Sequence, residues 1–222
     1  MENELKLLGG AMVTLALATC AMIVVPFMQL KDVAAPAALA PYSSAQLRGR
    51  EQYLANGCIA CHTQQPSSTG AGRADAQRGW GRPSVAADYH YDLPPLLGTM
   101  RTGPDLFNIG ARQPSVDWQL GHLFQPRAYA PGSIMPAFPF LFEVKPKSEV
   151  ASTDRVVLLP PGAVRYDQAV VARQEALDLV SYLVGMNHNY PVLTPSQARA
   201  ATKLAHRPDA TIPASTQPIR KQ

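Results

Sequence analysis

The chain has 222 residues and a mild formal charge of +4 spread along its length, which bounds it to one domain plus accessories, or at most two small domains. No Lys/Arg cluster is dense enough for nucleic acid, and that class is set aside. Twenty-one prolines with only 16% charged residues argue against a bundle of long helices and for a loop-rich fold.

From Leu7 to Leu30 (LLGGAMVTLALATCAMIVVPFMQL) no charged side chain occurs, about 36 Å as a helix and enough to cross a hydrocarbon core of about 30 Å. The stretch reads as a retained membrane anchor, with residues 1–31 as the first unit. A cleavable signal peptide would have a shorter apolar centre, a basic start and a small-x-small exit, whereas this chain starts Met1-Glu2-Asn3-Glu4-Leu5-Lys6. Leu17-Ala18-Thr19-Cys20 has the outline of a lipoprotein cleavage box, with Thr19 a poor residue at the cut. Lys6 and Lys31 flank the span alike, so charge bias does not orient it. A linker over 32–42 follows; its Asp32–Pro41 part (DVAAPAALAP) reads as a semi-rigid tether that does not pack.

Ser43 with Gln46 forms a capping-box pattern that opens a helix running towards Gly57. Leu47 and Leu54, one heptad apart, are expected on its inner face. Gly49 and Tyr53 share one side at i,i+4, where the glycine lets another helix approach. Gly57 is expected to end the helix. Next comes Cys58-Ile59-Ala60-Cys61-His62, which reads as the C-x-x-C-H attachment site of a c-type haem: two thiols add across vinyl groups and the adjacent histidine reaches the iron. A zinc site needs two more ligands, and the remaining cysteine, Cys20, lies inside the apolar run; a thioredoxin-like site needs a βαβ pattern, which is missing. Haem c is attached outside the bacterial cytoplasm, so the motif also orients the anchor, with its N-terminus cytoplasmic and the remainder periplasmic.

Gln64 to Pro83 is a Gly/Ser/Arg loop too polar for a core. Its Arg73, Arg78 and Arg82 are candidates for contact with a partner protein or haem propionates, beside the plainer reading of a solvated loop. Trp80, between glycines, is a candidate interface or haem-edge contact. Arg101-Thr102-Gly103-Pro104-Asp105-Leu106 is a turn leading into Phe107 to Gly110. A metal-bound histidine needs an acceptor for its other ring N–H, and the Pro104 carbonyl in this rigid turn is nominated. Val116 to Phe124 reads as a short helix with Trp118, Leu120, Leu123 and Phe124 available for packing; its His122 reads as a surface or hydrogen-bonded histidine.

In Gly132-Ser133-Ile134-Met135-Pro136-Ala137-Phe138-Pro139 the methionine stands in a loop stiffened at both ends, a setting that holds a thioether over the far face of a haem. Met12, Met22 and Met28 read instead as soft core fillers. Met100, His122 and His90 remain alternatives to Met135 as the second axial ligand. A strand is possible at Arg155 to Leu159, with a turn at Pro160-Pro161-Gly162. From Asp167 a helix is predicted to about Met186, with Ala172, Ala176, Leu179, Val180 and Leu183 as the stripe that meets Gly49 and Tyr53. A domain over 43–190 thus precedes a Pro/Ala-rich tail over 191–222, expected to be surface-draped or disordered. The fold class is mainly α: one transmembrane helix, then an all-α haem domain with long loops.

Taken in order, Gly49-x-x-x-Tyr53, C-x-x-C-H, Arg101 to Leu106, Gly132 to Pro139 and Glu175 to Leu183 make the chain similar to the class I cytochrome c fold. More narrowly, the single span, Ser84-Val85-Ala86 with Tyr91-Asp92, Arg101 to Leu106 and Met135 to Pro139 resemble the membrane-anchored monohaem cytochrome c subunit (subunit II) of cbb3-type haem-copper oxidases. These features cover about Leu5 to Leu141 plus the last helix. The resemblance implies one covalent haem c on Cys58 and Cys61, axial ligation by His62 and Met135, and orientation of His62 by the Pro104 carbonyl. It further implies that single electrons pass from another cytochrome c subunit or a soluble cytochrome donor to a haem-copper catalytic subunit that reduces oxygen. With both axial positions filled, catalysis within this polypeptide is not expected. The Gly/Ser/Arg loop and the long tail depart from the family pattern. The small subunit of nitric oxide reductase shares the anchor and haem plan, and a free-standing anchored carrier is a third electron-transfer reading. An enzyme with an open haem site and a purely structural assembly subunit are the readings from other classes.

Overall fold

The computed structural model describes residues 2–66 and 75–192. Expectations for Arg73, for the rest of 67–74 and for the tail from residue 193 lie outside the described residues.

Helix α1 (Glu2–Thr19), a π-helical turn (Cys20–Val24) and α2 (Val25–Leu30) run on as one rod. Pro26 has no N–H and its ring crowds the carbonyl one turn back; the widened turn just ahead of it accommodates both. Asn3–Leu30 is a 28-residue apolar helix with none of its length buried. At about 42 Å it is long enough to cross a bilayer. Met12, Met22 and Met28 are therefore not core fillers: they are 64%, 78% and 55% exposed, because nothing else in the described chain packs on this helix.

The tether does pack, against expectation. Val33 N–H closes onto the Leu30 carbonyl, Leu39 N–H onto Pro36, and His90 Nδ1 lies 3.1 Å from the Val33 carbonyl. Proline-guided turns fold the segment back, leaving Val33, Ala35, Pro36 and Leu39 half-buried.

Helix α3 (Ser44–Ala55) begins with the expected capping box: Gln46 N–H donates to Ser43 Oγ at 3.3 Å, and Ser43 N–H to Gln46 Oε1 at 2.8 Å. Gly57, at φ +69°, closes it. Helix α3 crosses α7 (Gln174–Gly185) through its Gly49/Tyr53 face. A β-carbon on Gly49 would lie 2.6 Å from the Asp178 carbonyl carbon and 2.8 Å from Tyr182 Cβ, so only glycine permits this approach. Tyr53 and Tyr182, both fully buried, meet edge to face at 5.7 Å, and Arg48 clasps Asp178 with two hydrogen bonds of 2.7 and 2.9 Å. Leu47 and Leu54 are not on the inner face. They are 49% and 41% exposed, since they lie roughly 130° round the helix from Gly49 and Tyr53.

Helix α7 also starts later than Asp167. Gln168–Ala172 is a strand, β2, antiparallel to β1 (Phe142–Pro146), with Phe142 opposite Ala172 and Pro146 opposite Gln168. A short apolar run rich in valine fits a strand or a buried helix equally by pattern, and pairing with β1 decides for the strand. Ala172 therefore belongs to the sheet, and Ala176, Leu179, Val180 and Leu183 form the buried stripe. The possible strand at Arg155 to Leu159 reduces to a single bridge between Val156 and Val171. The domain is mainly helical, with this one small sheet in place of the all-α layout.

Among the described residues, further short helices include α4 (Ile109–Arg112), α5 (Val116–Phe124) and α6 (Pro126–Tyr129). Ser115 caps α5, which buries Leu120 and Leu123 and leaves Trp118 and Phe124 half-buried. Helix α4 is joined to the end of α7 by a bond from Gly110 N–H to the Met186 carbonyl.

Candidate haem-attachment site

Gly57 in the left-handed region turns the chain sharply out of α3 and into a 3-10 turn, Cys58–Ala60. His62 N–H and Cys61 N–H both donate to the Cys58 carbonyl, at 3.0 and 3.1 Å, which winds both cysteines and the histidine into little more than one turn. Cys58 and Cys61 are unpaired and half-buried, and burial pushes the Cys58 thiol up to about 11. At neutral pH it is a protonated thiol rather than a thiolate.

His62 Nδ1 lies 2.7 Å from the Pro104 carbonyl. A carbonyl only accepts, so Nδ1 carries the proton and Nε2 keeps its lone pair. Burial holds the imidazole below its ordinary range, outweighing the pull of the Pro104 carbonyl, and the ring is neutral. Gly103 lies against that ring: a β-carbon there would sit 2.7 Å from Nδ1 and 2.8 Å from Nε2. Gly103 N–H donates to the Cys61 carbonyl at 2.9 Å, and Leu106 N–H to Thr63 at 2.7 Å, so the turn is zipped along the haem motif.

Asp105, 1% exposed, locks that seam. Its Oδ2 accepts from the Thr63 hydroxyl at 2.6 Å and Gln65 N–H at 2.9 Å, and its Oδ1 from Phe107 N–H at 2.9 Å; Arg101 stands 3.6 Å away. Burial pushes the carboxyl up while those four donors pull it back. Arg112 donates to the Asp105 carbonyl at 2.5 Å. Gly98, at φ +72°, passes so close to the His62 carbonyl that a β-carbon would lie 2.6 Å from its oxygen. Gly98, Gly103, Asp105 and Thr63 escaped the sequence reading because their roles exist only across the turn; the single local signal was the Thr-Gly-Pro-Asp string itself.

The structure thus brings Cys58, Cys61, His62 and Pro104 together. Met135 is half-buried and packs on the same core as Cys58 and Ile59. Its loop is held by Met135 N–H on Ser133 Oγ and by Phe138 N–H on the Leu123 carbonyl. Met100 is 56% exposed, and His90 is turned to the tether. His122 is stacked on Trp118 at 4.6 Å, and its buried Nδ1 has no hydrogen-bond partner among the described residues. Two free thiols and a neutral imidazole with Nε2 left for a metal, with the half-buried Met135 packed on the same core as Cys58, are a donor set that fits a haem c.

Of the loop arginines, Arg82 is neither solvated nor turned to a ligand: it makes two bonds, of 2.8 and 2.7 Å, to the buried Asp88. Trp80 lies under two guanidiniums, Arg78 at 5.0 Å and Arg112 at 5.2 Å.

A family model described as cytochrome C oxidase, mono-heme subunit/FixO, matches residues 1–189. No curated protein matches the chain.

Proposed function

Because the chain belongs to the family of cytochrome c oxidase mono-haem subunits (FixO), we propose that it holds its haem covalently on Cys58 and Cys61 and hands single electrons to the haem-copper subunit of a cbb3-type oxidase. Electron transfer within a cytochrome c oxidase complex, one haem and a membrane helix follow from the family and the fold. The covalent link, the axial pair and the partners are the proposal.

The bond between His62 Nδ1 and the Pro104 carbonyl carries this reading, since it fixes the tautomer and aim that an iron ligand needs. Once bound, the haem supplies a one-electron couple between ferric and ferrous iron. Cys58 and Cys61 would hold the group through thioether links, whose formation from a thiol and a double bond requires no oxidant. His62, through Nε2, and Met135, through its thioether, would be the residues that hold the iron. Were both to ligate the iron, this chain would offer oxygen no open position, and oxygen reduction would fall to the partner subunit. The Asn3–Leu30 helix anchors the chain beside that partner, with the haem domain on the periplasmic side and electrons arriving from another cytochrome c subunit or a soluble cytochrome.

Met135→Ala in the purified complex tests the axial pair: the sulfur-to-iron charge-transfer band should vanish and the midpoint potential fall, whereas Met100→Ala should leave both unchanged. Survival of the band in Met135→Ala would overturn the assignment. Copper in the copurified partner supports an oxidase, and an iron-only partner would place the chain with nitric oxide reductase instead.

A further inference from the structure

A cavity of about 420 Å³ opens beside the turn that carries Pro104, walled by Asp75, Arg78, Trp80, Arg101 and Gly103. Its charge is one-sided. Asp75 and Asp105 are buried and both face Arg101, at 2.5 and 3.6 Å, so neither carboxylate is offered to solvent. Arg78 is exposed, with no carboxylate partner among the described residues, and its guanidinium lies over the Trp80 ring. Gly79 and Gly81, at φ +72° and +109°, bracket the tryptophan and present its indole beside the cavity. A half-buried tryptophan under an exposed guanidinium, with the acidic groups withdrawn, is the composition of an interface centre for a negatively charged protein. The same wall includes Pro104, whose carbonyl is one hydrogen bond from His62.

We propose that this cavity seats the acidic face of a one-electron donor protein, and that the electron enters through Pro104 and His62. The inference rests on the haem reading above. One electron leaves the donor, which is oxidised, and one ferric iron is reduced; no bond forms and no proton moves. Arginine rather than an apolar wedge holds the donor, so the encounter is steered by charge and weakened by salt.

Stopped-flow reduction of the intact detergent-solubilised complex decides it, followed at the haem band. Reduced flavodoxin serves as an acidic protein donor and hexaammineruthenium(II) as a small cationic one. Arg78→Glu should slow reduction by flavodoxin roughly fivefold at low ionic strength, the difference fading above about 0.15 M salt, where fields reach only about 8 Å. The same variant should react with the ruthenium complex as fast as the parent or faster. Arg78→Lys should retain most of the flavodoxin rate, and midpoint potential and charge-transfer band should be unchanged in both. Equal flavodoxin rates for the parent and Arg78→Glu, with the haem bands intact, would overturn the docking site and leave the haem reading standing. A complex with no haem band at this subunit would overturn both.

Discussion

Gly103 determines how His62 can stand, because its missing β-carbon is the space the imidazole occupies. A methyl group there must push the ring away from Pro104, and it cannot be absorbed by the turn, which is bonded to Cys61 on one side and Thr63 on the other. Gly103→Ala should therefore lower stability by about 1–3 kcal/mol and weaken the Nδ1–H bond to the carbonyl. A less basic imidazole stabilises ferric iron less, so the midpoint potential should rise, opposite in sign to the fall expected for Met135→Ala. Redox titration and thermal melting of the variant measure the two effects; an unchanged potential would mean that the ring keeps its place. The contact of His62 with the Pro104 carbonyl was legible because a stiff turn shows in the string Arg101 to Leu106, while the haem-binding roles of Cys58, Cys61 and His62 rest on their spacing and remain the proposal. Gly103 and Asp105 stood in the same string as turn residues only, since their contacts with His62 and Thr63 depend on the segment the turn lies against.

The pairing of α3 with α7 shows how far local pattern reaches at the level of elements. The capping box at Ser43 and the Gly49/Tyr53 side were legible from helical spacing alone. Leu47 and Leu54 are exposed rather than on the inner face, because one helix partner can cover only one stripe, and a glycine that admits backbone contact outcompetes two leucines that would hold the helices apart. The late start of α7 has a similar cause: residues 169–172 pair with β1, a long-range bond pattern that no window of the chain contains. If backbone proximity at Gly49 is what sets the crossing, Gly49→Ala should cost about 1–3 kcal/mol, a drop of about 2–12 °C in melting temperature for a domain of this size. Leu47→Ala, on the exposed face, should move it by about a degree or less. Equal shifts for the two variants, measured by calorimetry on the haem-loaded protein, would show that the crossing does not depend on Gly49.

At the scale of the whole molecule the described chain divides between a rod with none of its length buried and a domain that carries the packed core. The rod was readable by composition, as was the order of anchor, tether and haem motif; that the tether would be held by His90 was not, because a lone histidine in a polar loop carries no sign of its partner. Since no part of the Asn3–Leu30 helix is covered by the domain, the domain core owes it no packing energy. On the proposed reading its apolar surface would be satisfied by lipid and by partner helices, which would make it an assembly element rather than a folding one. A chain beginning at Asp32, exported to the periplasm, should then keep its haem spectrum, its midpoint potential and, within about a degree or two, its melting temperature. The same chain should fail to copurify with the haem-copper subunit, and oxygen uptake by the complex should fall with it. Loss of haem or a large fall in melting temperature on truncation would make the rod part of the fold. Copurification at undiminished yield would instead place the binding energy between the subunits in the domain, with the rod reduced to a tether.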